Sequence, residues 1–64
     1  MTSIHFAMNL PINGRTIPVI VHGHKHDGEF EIEEVQPRNP KDFDLLENAT
    51  DEYEYEIKER AQYE

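Results

Sequence analysis

The chain has no cysteine, six basic residues against fourteen acidic ones, and no charged side chain anywhere in residues 1–14. Without cysteine there is no disulfide framework and no thiolate site for zinc or iron–sulfur, a composition that suits a reducing cytosol. No window approaches the roughly 20 apolar residues of a membrane span. Residues 1–14 also lack a basic start and are interrupted by His5, Asn9 and Pro11, so nothing reads as a secretory signal. The expectation is a cytoplasmic chain without a membrane partner. At 64 residues it forms at most one small domain, which buries only about 60% of the unfolded chain's surface on folding. Oligomerisation or partner binding is the natural additional support.

The shortage of basic residues leaves a formal charge of −8, and it is unevenly placed. Residues 1–40 carry three basic residues against five acidic, and residues 41–64 three against nine. Phosphate contact rests on Lys and Arg, so direct binding to nucleic acid is disfavoured. A basic partner fits better.

Asn13-Gly14 and Asp27-Gly28 both signal two-residue type I′ turns, whose central positions need positive φ. Together they predict a three-stranded antiparallel meander over residues 1–36. The first turn sets Leu10 opposite Ile17, Met8 opposite Val19, Phe6 opposite Val21 and Ile4 opposite Gly23, which makes one face apolar. The second sets Gly23 opposite Ile32 and Lys25 opposite Phe30 on that same face. Pro11 and Pro18 fall at non-hydrogen-bonded positions of the first hairpin, where a missing N–H costs no ladder bond. Pro18 then faces strand 3, which is expected to end near Val35, before Pro37.

Residues 37–64 read as a linker and an acidic helical segment. Asn39-Pro40 looks like an N-cap with proline at the first helical position. Thr50 is expected to cap a second helix, with Asp51 and Glu52 in its first turn, where the helix dipole favours negative charge. Tyr53, Ile57 and Ala61 form a narrow apolar stripe that can lie on the sheet beside Phe43, Leu45 and Leu46. Glu54–Lys58 and Glu56–Arg60 have the spacing of stabilising ion pairs. The fold class is α+β: a three-stranded antiparallel meander with one or two C-terminal helices packed on one face.

The stretch "HGHKHDGEFEIEE" places His22, His24 and His26 at alternate strand positions, opposite Glu33, Glu31 and Glu29, with His5 beside His22. Three readings are open. The row is the solvated face that a half-buried hairpin requires; it is a metal site in which imidazoles take a borderline ion such as zinc; or it is a pH-responsive face, since carboxylates favour the charged imidazolium. On the helix, Glu52, Glu56 and Glu59 share a face distinct from that of Tyr53 and Ile57, about 6 Å apart along the axis. That spacing resembles the phosphates of a nucleic-acid strand. Strand 1 is an edge without the charge that ordinarily discourages pairing, and so a candidate homodimer seam. No nucleophile–base set, phosphate loop or pair of buried carboxylates can be located, so no enzyme and no cofactor is expected.

The layout "NGRTIPVIV…GEFEIEEV…DLLENATDEYEYEIKERA" resembles short acidic proteins encoded by bacteriophages, in which a hairpin precedes a "DLL" segment and a "T-D-E-aromatic" helix start. The histidine-rich strand departs from that pattern. Some such proteins inhibit host defence, among them anti-CRISPR proteins that occupy nucleic-acid channels. The resemblance implies a non-enzymatic inhibitor that presents Glu52, Glu54, Glu56 and Glu59, with Glu29, Glu31 and Glu33, to a basic nucleic-acid-binding host protein. The rival is a metal-binding or pH-responsive module built on His5, His22, His24 and His26.

Overall fold

Two turns organise the sheet. In a computed structural model that describes residues 2–64, Asn13 and Gly14 sit at φ 52° and 74°, and Asp27 and Gly28 at 53° and 81°. Asn and Asp tolerate this left-handed region and glycine enters it freely, so the backbone reverses with the twist that the flanking strands need. The outcome is β1 (Thr2–Ile12), β2 (Arg15–His26) and β3 (Glu29–Pro37), antiparallel in the order β1-β2-β3. Leu10 faces Ile17, Met8 faces Val19, Phe6 faces Val21 and Ile4 faces Gly23, as the first turn requires.

The second hairpin keeps its expected register only as far as Gly23–Ile32 and then shifts by one residue. His22 faces Glu34 rather than Glu33, Val21 faces Val35, and Glu33 is the extra residue of a β-bulge. An unbroken ladder would have placed Glu34 against Val21, which is completely buried, and left Val35 outside. Burying an unpaired carboxylate costs several kcal/mol, whereas the bulge forfeits a ladder bond worth about 0.5–1.5 kcal/mol. The bulge wins, and Ile32 and Val35 both pack against the core.

Strand 3 also continues beyond Val35 to Pro37, and the Arg38 N–H donates to the Pro18 carbonyl at 3.1 Å. Pro18 has no N–H to return the bond, so the ladder closes there from one side only.

The segment after β3 folds back across the apolar face. Asn39 caps a 3₁₀ helix over Pro40–Leu46, its side chain accepting from the Lys41 N–H at 3.0 Å. Two short α-helices follow, α1 (Ala49–Glu52) and α2 (Glu54–Ala61). Thr50 is not a cap: α1 starts at Ala49, which is buried in the core, and Asn48 holds the cap position without a side-chain bond. The single helix expected from Thr50 onward is broken at Tyr53, whose backbone (φ −116°, ψ 21°) leaves the helical region. The two helices share Tyr53 at the break, its N–H donating back to Ala49 O and its carbonyl accepting from the Ile57 N–H.

The core joins Phe6, Leu10, Ile12, Ile17, Val19, Val21 and Phe30 of the sheet to Leu46, Ala49, Ile57 and Ala61. Tyr53 and Leu45 pack on it in part, whereas Phe43, one turn before Leu46, stays 70% exposed. Gly23 makes the hairpin end of this core possible. A Cβ there would sit 2.5 and 2.8 Å from two ring carbons of Phe30 and would collide with the Glu31 carbonyl oxygen. Its absence lets Phe30 lie over the strand and meet Phe6 at 5.7 Å between ring centroids.

Candidate partner-binding surfaces

With the helices on one face, the other face of the sheet is open, and the alternation of β2 directs His22, His24 and His26 onto it. His5 of β1 stands opposite His22, their rings stacked at 5.6 Å with 28° between planes. The Ser3 hydroxyl lies 3.1 Å from His24 Nδ1, and Glu33 Oε1 lies 2.9 Å from His24 Nε2. His22 Nε2 is 3.2 Å from Gln36 Oε1, and His26 Nδ1 is 3.3 Å from Asp27 Oδ2. The expected cross-strand pairing with glutamate therefore survives as backbone register for His24–Glu31 and His26–Glu29, but the rings turn to other partners. His24 takes the bulged Glu33, His22 takes Gln36, and His26 takes the adjoining turn residue.

This dispersal bears on metal binding. Among the described residues no three His, Asp or Glu side chains converge as a set that could hold an ion. His5, His22, His24 and His26 share a face without sharing a focus.

The acidic residues fall into two groups, one beside the histidines on β3 and one on the helices. Glu29, Glu31 and Glu33 are exposed along β3, where the bulge adds Glu34. Glu52 lies on α1 and Glu54, Glu56 and Glu59 on α2, all exposed. The even stripe expected through Glu52, Glu56 and Glu59 crosses the break at Tyr53, so these carboxylates do not follow a single helical rise. Glu54 is committed to Lys58 at 2.9 Å, and Arg60 pairs with Glu64 at 3.4 Å rather than with Glu56. No ion pair among the described residues involves Glu52, Glu56 or Glu59.

Lys58 feels both acidic groups. Its ammonium is held above the ordinary 10.5, first by the hydrogen bond it donates to Glu54, then by the charge of Glu54, with desolvation opposing and the charges of Glu29 and Glu31 adding smaller contributions. The packing of α2 against β3 thus brings Glu29 and Glu31 into the field of a helix residue far away in sequence.

Two exposed aromatics were not anticipated as part of this surface. Tyr55 and Tyr63 are 75% and 81% exposed and line one shallow recess with Lys58, Glu59 and Gln62. The signal was present: Tyr55, Glu59 and Tyr63 recur at intervals of four, on a different side of the helix from Tyr53, Ile57 and Ala61.

No polar or charged side chain among the described residues is buried, and no helix among them is long and apolar enough to cross a membrane. No family model matches the chain, and no curated protein or solved structure matches it.

Proposed function

We propose that the chain is a non-enzymatic, phage-type inhibitor, active in the host-cell cytoplasm, that presents an acidic, nucleic-acid-mimicking surface to a basic site of a host defence complex of the CRISPR class. The observation that carries this reading is the set of exposed carboxylates at Glu52, Glu56 and Glu59, which have no ion-pair partner among the described residues, on a chain of net charge −8. Such carboxylates compete for the lysines and arginines that would otherwise hold phosphate. Tyr55 and Tyr63 flank Glu59 with flat faces on which a guanidinium can stack. Glu29, Glu31 and Glu33 extend the surface along β3, while Glu54 serves mainly to hold Lys58. The absence of buried polar groups among the described residues also suits a binding surface better than a reaction pocket.

The test is capture of host proteins on the immobilised chain, beside the double variant Glu52→Lys/Glu56→Lys. The wild-type chain is expected to retain a nucleic-acid-binding protein that added salt or nucleic acid releases, because exposed charges are screened within about 8 Å at physiological ionic strength. The double variant is expected to fold and to lose that protein. Equal capture or equal inhibition by the variant overturns the reading.

A second reading is favoured by the Ser3–His24–Glu33 and His5–His22 contacts: an interaction module whose affinity responds to pH. Protonation of the histidine face opposes docking of a basic partner, so affinity should fall on acidification through the histidine range. A binding constant that stays flat there removes this reading.

A further inference from the structure

The sheet has two unlike edges. The 3₁₀ segment, α1 and α2 cross one face of the sheet and pack chiefly against β3, whereas β1 pairs with β2 alone and is met along its outer side by the Tyr53 hydroxyl at Pro11. From Thr2 to Ile12, β1 bears no charged side chain except what His5 acquires on protonation. Natural edges are usually protected by charge, proline or cover, and here protection is confined to one end.

The parity of the first hairpin decides which groups are free. A two-residue turn makes Ile12–Arg15 a hydrogen-bonded pair, so even-numbered residues of β1 bond to β2 and odd-numbered ones direct their N–H and C=O outward. Those are Ser3, His5, Ala7, Asn9 and Pro11. Pro11 has no N–H, and its carbonyl accepts from the Tyr53 hydroxyl at 3.0 Å. The open stretch therefore runs from Ser3 to Asn9.

We propose that this stretch pairs with the same stretch of a second copy, antiparallel about a two-fold axis at Phe6, to make one continuous six-stranded sheet. Centring on Phe6 sets Ser3 opposite Asn9 and His5 opposite Ala7, so all four open residues bond, with roughly eight interchain hydrogen bonds. Centring on Ala7 sets Ser3 against Pro11, which has neither a donor nor a free carbonyl. Centring on His5 sets Asn9 opposite Met1, outside the described residues, and puts two imidazoles face to face. On the helix-covered side, the Phe6 register places Ile4 beside Met8 of the second copy. Both are only partly buried in the single chain, and pairing covers them.

Charge favours a second copy over a charged partner. The acidic rows belong to β3 and the helices, so two chains that meet along β1 keep Glu29, Glu31 and Glu33 at the far margins. The recess beside Ala7, Met8 and Asn9 is lined by Arg38 and by Arg60, whose charge is taken up by Glu64, so β1 brings no acidic side chain to the seam. The inference does not depend on the inhibitory reading, since it concerns the opposite edge.

Sedimentation equilibrium is expected to give twice the 7.6 kDa of the chain, and hydrogen exchange should show the amides of Ser3, His5, Ala7 and Asn9 slowed by orders of magnitude. Ala7→Pro should halve the mass without unfolding the sheet, because the Ala7 N–H faces outward, in the same parity that already accommodates Pro11. Should that variant fail to fold, amide exchange in the wild-type chain decides alone. A monomer at the highest soluble concentration overturns the proposal, as does a dimer in which those four amides exchange freely.

Discussion

Glu33 Oε1 lies 2.9 Å from His24 Nε2, although the residue directly across the ladder from His24 is Glu31. Glu33 reaches the imidazole because it is the residue that β3 holds in excess: the bulge releases it from pairing and leaves its side chain on the open face. One irregularity thus keeps Glu34 out of the core and gives His24 a carboxylate.

Deletion of Glu33 should be tolerated. Without it the remaining residues keep their partners, Glu34 opposite His22 and Val35 opposite Val21, in an unbroken ladder. The unfolding free energy from urea titration is expected to stay within about 1 kcal/mol of wild type, while the His24 imidazole is left without its carboxylate. An unfolded deletion variant would show that β3 needs the bend of the bulge to meet the helices.

Gly23→Ala should be costly for a change of one methyl group. The new Cβ meets a backbone oxygen and the Phe30 ring, and β2 cannot yield without disturbing both ladders. A loss of about 1–3 kcal/mol is expected, read from the urea midpoint. Gly23→Ala/Phe30→Leu should recover part of it if the ring is the chief obstacle, and none if the Glu31 carbonyl is.

The pH dependence at Lys58 has a definite sign. Its folded-state pKa is raised above 10.5, chiefly by Glu54, so the stabilisation is fully present below about 10.5 and fades as pH rises through the folded value. The thermal midpoint should fall on that alkaline limb, and Glu54→Gln should flatten the fall. The effect will be small because Lys58 is solvent-exposed. An identical alkaline limb in Glu54→Gln would assign the fall to other groups.

Tyr53→Phe keeps the ring and removes only the hydroxyl that bonds to Pro11 O. It should cost about 0.5–1.5 kcal/mol and leave the break between α1 and α2 in place. Backbone chemical shifts that report a continuous helix from Ala49 to Ala61 would mean that the hydroxyl enforces the break.

Much of this architecture was legible because it rests on local chemistry. Asn13-Gly14 and Asp27-Gly28 specify their turns through φ alone, and the turns specify the register of β1 on β2 and of the hairpin tip. What escaped were choices decided by burial. The tandem Glu33-Glu34 between Ile32 and Val35 already showed the alternation out of phase, and only the cost of carrying Glu34 into the core turns that into a bulge. Thr50 has the chemistry of a cap, but Ala49 beside it is small and apolar and goes into the core, which moves the helix start. Of the candidate surface residues, the individual exposures followed from charge and the Glu54–Lys58 pair from its spacing, while the influence of Glu29 and Glu31 on Lys58 came from the docking of α2 on β3, for which local sequence holds no signal.

The bond between Tyr53 and Pro11 spans 42 residues. Each hairpin closes through neighbours and can form within about 1–10 μs, but Ile57 and Ala61 are buried only once the last third of the chain has come back over the first strand. Helix docking is therefore the late event that locks the meander. Peeling α2 away would take Ile57 and Ala61 out of the core they share with Leu10, Val19 and Val21, so helix and sheet are lost together, and the amides of β2 and α2 should report one common opening free energy.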